Sequence, residues 1–123
     1  MTIDFKQYTE DVKRTECEYN KPLNKRLAHA IFGLIDELGE LTGPLKKEAF
    51  YGKPADRTNV VEEIGDLMWF LAILLDERGI TLEECLRANT RKLRVRYEQG
   101  FCDRDAIKRD IRAEYKAMEE GSI

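Results

Sequence analysis

Apolar residues in the first half of the chain fall at Leu27, Ile31, Leu34, Leu38 and Leu41, every third or fourth position. That spacing lines one face of a helix and predicts one from Leu23 to the Gly43-Pro44 pair, which should end it. Before it, Ile3, Tyr8 and Val12 follow a capping pair, Asp4 with Gln7. They predict a first helix reaching about residue 18, with a break around Asn20 to Pro22. The stretch "GPLKKEAFYGKPADRT" mixes glycine, proline and lysine and predicts the one substantial loop, with a short helical turn near Leu45 to Phe50. Asn59 with Glu62 predicts the start of a third helix, running to Arg78 and stopping at Gly79. Its second half, "LMWFLAILL", is apolar nearly all round and should be buried on most sides. Thr81 with Glu84 opens a fourth helix, "TLEECLRANTRKLRVRYEQ", ending at Gly100. Asp103 starts a last amphipathic helix over residues 103–120, with Ile107, Ile111, Tyr115 and Met118 inward. No strand-like alternation occurs. The expected fold is all-α, a bundle of four to five helices. The all-round apolar segment implies completion by homo-oligomerisation, as a homodimer or a dimer of dimers.

Composition narrows the function. A chain of 123 residues makes one domain, 1–123, and its net charge of −3 does not suit a nucleic-acid-coating protein. "LMWFLAILL" is too short to span a bilayer, and no charged-then-apolar signal segment opens the chain, so no membrane partner is expected. Cys17, Cys85 and Cys102 are odd in number and lack CxxC spacing, which implies reduced thiols and a cytoplasmic setting. The lone His29 excludes a site needing several imidazoles.

Two four-residue stretches then stand out, "ELGE" (37–40) and "EIGD" (63–66), offset by 63 − 37 = 26. Each places a glycine inside a helix, at a cost of about 1 kcal/mol relative to alanine. Residues three apart in a helix lie on one face, so Glu37 and Glu40 project together, as do Glu63 and Asp66. Antiparallel packing of the two helices would gather four carboxylates around one small volume. Such a cluster needs a cation, and oxygen-only ligands suit Mg²⁺ or Mn²⁺. Gly39 and Gly65 would then allow backbone or substrate to approach closely. The competing reading is two solvated acidic faces. Against it, Glu37 borders Leu34, Leu38 and Leu41, and Asp66 sits inside "IGDLMWFLAILL". A di-iron bundle is excluded because neither pair has the ExxH histidine.

The fourth helix offers basic groups. Asn89 and Arg96 share the stripe of Leu82, Leu86 and Leu93 and should point inward, with Lys92 nearby. An arginine on an apolar stripe needs an anion, either a carboxylate or a phosphate. Arg87, Arg91 and Arg94 read as solvated surface.

Together, "GLIDELGEL", "EEIGDLMWFLA" and "ANTRKLRVRYEQGF" resemble the MazG-like, all-α nucleoside triphosphate pyrophosphohydrolases, over about residues 27–101. The family signature is ExxE, a gap, then ExxD, and the gap here is the 22 residues from Leu41 to Glu62. The resemblance implies a Mg²⁺-dependent enzyme, with Mn²⁺ a substitute. It would cleave nucleoside triphosphates between the α- and β-phosphates to a monophosphate and pyrophosphate. Glu37, Glu40, Glu63 and Asp66 would be metal ligands, with Glu37 or Glu40 accepting the water's proton. Lys92 and Arg96 would hold phosphates, Asn89 the sugar or phosphate, and Lys46 and Lys47 the outgoing pyrophosphate. Phe70 and Trp69 would stack on a base or belong to the core, with Phe32 and His29 as weaker candidates. Two other functions stay open: a non-catalytic helical interaction protein, and a phosphoribosyl-ATP pyrophosphohydrolase.

Overall fold

The computed structural model describes residues 2–17 and 24–120. Among them there are six helices and no strand, as the absence of alternation predicts. They form two compact units, Met1–Gly79 and Ile80–Ile123. The break around Asn20 to Pro22 and the helix start at Leu23 lie outside the described residues.

The first unit holds α1 (Phe5–Thr15), α2 (Asn24–Tyr51) and α3 (Arg57–Arg78). Asp4 caps α1 by accepting from the Gln7 N–H at 2.8 Å, so the expected start is correct. The second helix does not stop at Gly43-Pro44. Pro44 lies inside α2, which runs to Tyr51 before Gly52 turns into the left-handed region at φ 65°. Proline removes one backbone hydrogen bond, but "LKKEA" behind it is rich in strong helix formers, and the helix carries through. The expected loop therefore shrinks to residues 52–56. The third helix also begins earlier than Asn59. Asp56 is its cap, accepting from the Thr58 N–H at 2.9 Å, and Asn59 already lies within the first turn. It ends as predicted at Gly79, φ 63°.

Val12, Ala30, Ala72 and Ile73 form the core of this unit, with Phe5, Tyr8, Trp69 and Leu74 packed against them. Its polar border is an arginine fork. Arg26 donates to both oxygens of Glu16, at 2.7 and 2.8 Å, and to Asp76 at 2.8 Å. It thereby ties the end of α1 and the start of α2 to the end of α3.

The second unit holds α4 (Leu82–Arg96), α5 (Asp103–Ile107) and α6 (Ile111–Glu119). The Thr81–Glu84 capping box is present in full. The α-helix ends at Arg96, short of the expected Gly100, which the chain reaches through a turn at φ 95°. The single helix expected over 103–120 is divided, because Asp110 accepts from the Ala113 N–H and starts α6 afresh. Ile107 (80% exposed), Ile111 and Tyr115 face outward rather than inward, and only Met118 is half-buried. A charge sets the rotation of α6. Glu114, 2% exposed, is the only buried residue among those described in this unit. Its carboxylate receives Arg96 at 2.9 and 3.0 Å and Arg109 at 3.3 and 2.6 Å. Arg91, expected at the solvated surface, instead donates to the Ala117 and Met118 carbonyls at 2.9 and 3.3 Å, closing the end of α6.

The two guanidinium groups of Arg96 and Arg109 hold the Glu114 carboxyl well below its ordinary value of 4.5. A depressed acid contributes stability that is present above the unfolded value and lost as pH falls through the folded one. The second unit should therefore loosen progressively below about pH 4.5. In Glu114→Gln that acid-dependent loss should flatten, with lower stability at neutral pH. Melting curves by circular dichroism from pH 7 downward check both outcomes.

Candidate active site

Helix α2 runs against α3 in the opposite sense. The ring of Phe70 lies on Gly33, while Pro44 and Asn59 line the same cavity near the connecting loop. Between these two levels the acids meet. Carboxylate oxygens of Glu37, Glu63 and Asp66 all lie within 4.8 Å of one another. Glu63 is buried at 8% exposure, Glu37 half-buried and Asp66 exposed, so the cluster opens to solvent along one side. Glu40, one turn further along α2, is exposed and outside the trio.

The charges within the trio are not balanced. Partial burial, a hydrogen bond with Glu63, and the charges of Asp66, Glu63 and Asp36 raise the Glu37 carboxyl above its ordinary value. Asn59 donates its side-chain amide to Glu63 Oε1 at 3.1 Å. Asn59 is thus a support for an acid, where its sequence position suggested a helix cap. Its i, i+4 spacing to Glu63 was the available signal. Tyr8 on α1 is a second unforeseen neighbour. Its hydroxyl lies 3.5 Å from the Gly65 carbonyl, and burial together with the Asp66 charge raises its pKa.

Gly39 and Gly65 are not points of close helix approach. A Cβ built on either meets nothing within 4 Å, so both leave open space beside the acids. Gly33 is the close approach, since a Cβ there would stand 2.1–2.4 Å from the Phe70 ring. Phe70 also meets the His29 ring edge-on at 5.5 Å. Trp69 packs against the core and donates to Thr15 Oγ1 at 3.0 Å. Both aromatics are half-buried and make packing contacts within the first unit. Phe32, by contrast, is exposed.

A cavity of about 240 Å³ opens at the loop end of α2 and α3, with Lys47, Lys53, Asp56 and Asn59 in its wall. Lys46 and Lys47 are both exposed; Lys47 shares the Glu40 side of α2, seven residues on, whereas Lys46 projects from another side. In the second unit Asn89 is exposed rather than inward, Lys92 is half-buried, and Leu86 and Leu93 of the expected inward stripe are exposed. Arg96 has a carboxylate partner, Glu114.

The profile of the MazG nucleotide pyrophosphohydrolase domain matches residues 27–101, more than half of the chain. Among curated proteins, the Gene 37 protein of Mycobacterium phage L5 is 28% identical over 78 residues, covering 60% of this chain and 68% of that protein. The uncharacterized protein YvdC of Bacillus subtilis (strain 168) is 32% identical over 78 residues, covering 54% of this chain and 72% of its own. No solved structure matches significantly.

The raised Glu37 carboxyl has a definite consequence for stability. An acid whose folded value lies above its unfolded one costs stability as pH rises through that range, because the folded state resists ionisation. The metal-free protein should therefore lose stability as pH climbs above about 4.5, the ordinary value. Glu37→Gln should remove that loss and be at least as stable as the parent at neutral pH. Addition of Mg²⁺ or Mn²⁺ should stabilise the parent, approaching about 2.7 kcal/mol at a hundredfold excess over the dissociation constant. Glu37→Gln should gain much less. Paired melting curves with and without the ion separate this from a solvated acid, for which every curve would coincide.

Proposed function

The chain belongs to the MazG nucleotide pyrophosphohydrolase family, hydrolases of phosphoric anhydrides, and from that membership we propose its reaction. It cleaves nucleoside triphosphates between the α- and β-phosphates, releasing a nucleoside monophosphate and pyrophosphate, with Mg²⁺ as cofactor and Mn²⁺ as its substitute. The observation that carries this reading is the convergence of Glu37, Glu63 and Asp66 within 4.8 Å. The donor set fits a hard divalent ion: every candidate ligand atom is a carboxylate oxygen, with no sulfur or imidazole.

When bound, the ion would offset the triphosphate charge and make water more acidic. The residues divide the remaining work. Glu37, Glu63 and Asp66 hold the ion. Glu40, exposed and outside the trio, accepts the proton of the attacking water. A bond forms from water oxygen to the α-phosphorus, the bond from that phosphorus to the bridging oxygen breaks, and pyrophosphate leaves. Lys47, with Lys53 beside it in the cavity wall, receives that anion. Asn89 and Lys92 are assigned to the nucleotide by family resemblance. Arg96 we assign to holding α6 through Glu114, rather than to phosphate.

Assembly follows from exposed apolar surface in the first unit. Phe32 is 70% and Ile35 64% exposed, and Leu38, Val61 and Ile64 are open as well. Ile31, Ile35 and Leu38 form one stripe of α2, turned away from the core residue Ala30. We assign this stripe to a second copy of the chain, giving a homodimer or a dimer of dimers.

Two measurements test the proposal. A panel of nucleoside triphosphates and phosphoribosyl-ATP with Mg²⁺ should give pyrophosphate and a monophosphate product, with activity abolished by a chelator or by Glu63→Gln. Release of single phosphates with a diphosphate product would show that the bond assignment is wrong. Light scattering at micromolar concentration should give at least a dimer mass, and Ile35→Asp should reduce it to monomer. A monomeric parent would remove the assembly.

A further inference from the structure

We propose that Asn59 is a positioning residue for the cation site, its side-chain amide holding the Glu63 carboxylate in the orientation that meets Glu37 and Asp66. The inference rests on the assignment of that trio to a divalent ion. Three observations carry it. The first is the contact: Asn59 Nδ2 donates to Glu63 Oε1 at 3.1 Å, from one turn earlier on α3. Glu63 is the buried member of the trio. Fixing one of its oxygens fixes the plane of the carboxylate and hence the direction of the other.

The second observation is that Asn59 has no task at the helix end. Asp56 caps α3 through the Thr58 N–H, so the amide is not required by the backbone. The third is the charge of the donor. Among the described residues no lysine or arginine pairs with Glu63, whereas Glu16, Asp76 and Glu114 all have arginine partners. A cationic donor beside Glu63 would orient it equally well, but would repel an incoming divalent ion. A neutral amide orients without that repulsion. Lys47 and Lys53 are near enough to share a cavity wall with Asn59, so the choice of a neutral group next to the acid is local.

The test is Mn²⁺ binding to the full chain, followed by electron paramagnetic resonance, for the parent, Asn59→Leu, Asn59→Ala and Glu63→Gln. Leucine nearly matches asparagine in shape and alanine favours the helix, so neither substitution need disturb α3. Both Asn59 variants, measured as folded protein, should bind Mn²⁺ about 10-fold or more weakly, with a modest fall in metal-free melting temperature because the buried Glu63 carboxylate loses a donor. If either binds with parental affinity, Asn59 does not position the site. A lowered melting temperature with unchanged Mn²⁺ affinity of the folded protein would give Asn59 a purely structural role and overturn the proposal. Failure of the underlying assignment looks different: the parent itself would not bind Mn²⁺, or Glu63→Gln would bind as tightly as the parent.

Discussion

The ring of Phe70 rests on Gly33, and the arrangement of the acids depends on that contact. A methyl group at Gly33 would meet three ring carbons at 2.1–2.4 Å, so the residue must lack a side chain for α2 and α3 to approach this closely. Glu37 lies one turn beyond Gly33 on α2, and Asp66 one turn before Phe70 on α3. Seating the ring therefore also seats Glu37 against Asp66 and Glu63. Phe70 is half-buried, so its apolar burial contributes less than the roughly 1.5–3 kcal/mol of a fully buried side chain, and the His29 and Trp69 rings pack at 5.5 and 4.9 Å around it. Apolar packing can thus hold together carboxylates that would otherwise drift apart.

The molecule treats its inward charges in two ways. Where a carboxylate ties helices together, an arginine forks onto it: Arg26 on Glu16, and Arg96 with Arg109 on Glu114. Each of those carboxylates has a cationic partner in contact, and the Glu114 carboxyl is held far below the usual range by its two guanidiniums. Where Glu37, Glu63 and Asp66 meet, the neighbours are other acids, the Asn59 amide and the Tyr8 phenol. The Glu37 carboxyl moves the opposite way, upward. Paired acids are ties within the fold. The unbalanced trio can still bind a cation.

Local signals in the chain hold in the structure where one residue decides the outcome. Asp4 caps α1, Thr81 and Glu84 box α4, and Gly79 ends α3, because each acts on backbone groups within a few residues. Pro44 misled because its cost competes with the helix formers that follow it and with a helix already long. Asn59 misled because two partners were available, a backbone N–H and the Glu63 carboxylate, and Asp56 had already satisfied the helix end. In the last segment the pattern of Ile107, Ile111, Tyr115 and Met118 named an apolar face. A single buried glutamate with two arginines outweighed it in setting which side of α6 turns inward.

The chain by itself determined the all-α class, the helix starts with strong caps, and the two acidic turns with their family. These follow from periodicity and from spacing within one helix, both properties of local chain geometry. Tertiary structure decided which acids meet. Glu37, Glu63 and Asp66 converge while Glu40 stays outside, a distinction invisible in ExxE, because it depends on the axial offset of α2 against α3. It also decided that Trp69 and Phe70 pack inside the first unit and that Arg96 has a carboxylate partner. Helical spacing names the face a side chain occupies. What that face meets is set by the approach of a second helix, and here a glycine under a phenylalanine ring sets that approach.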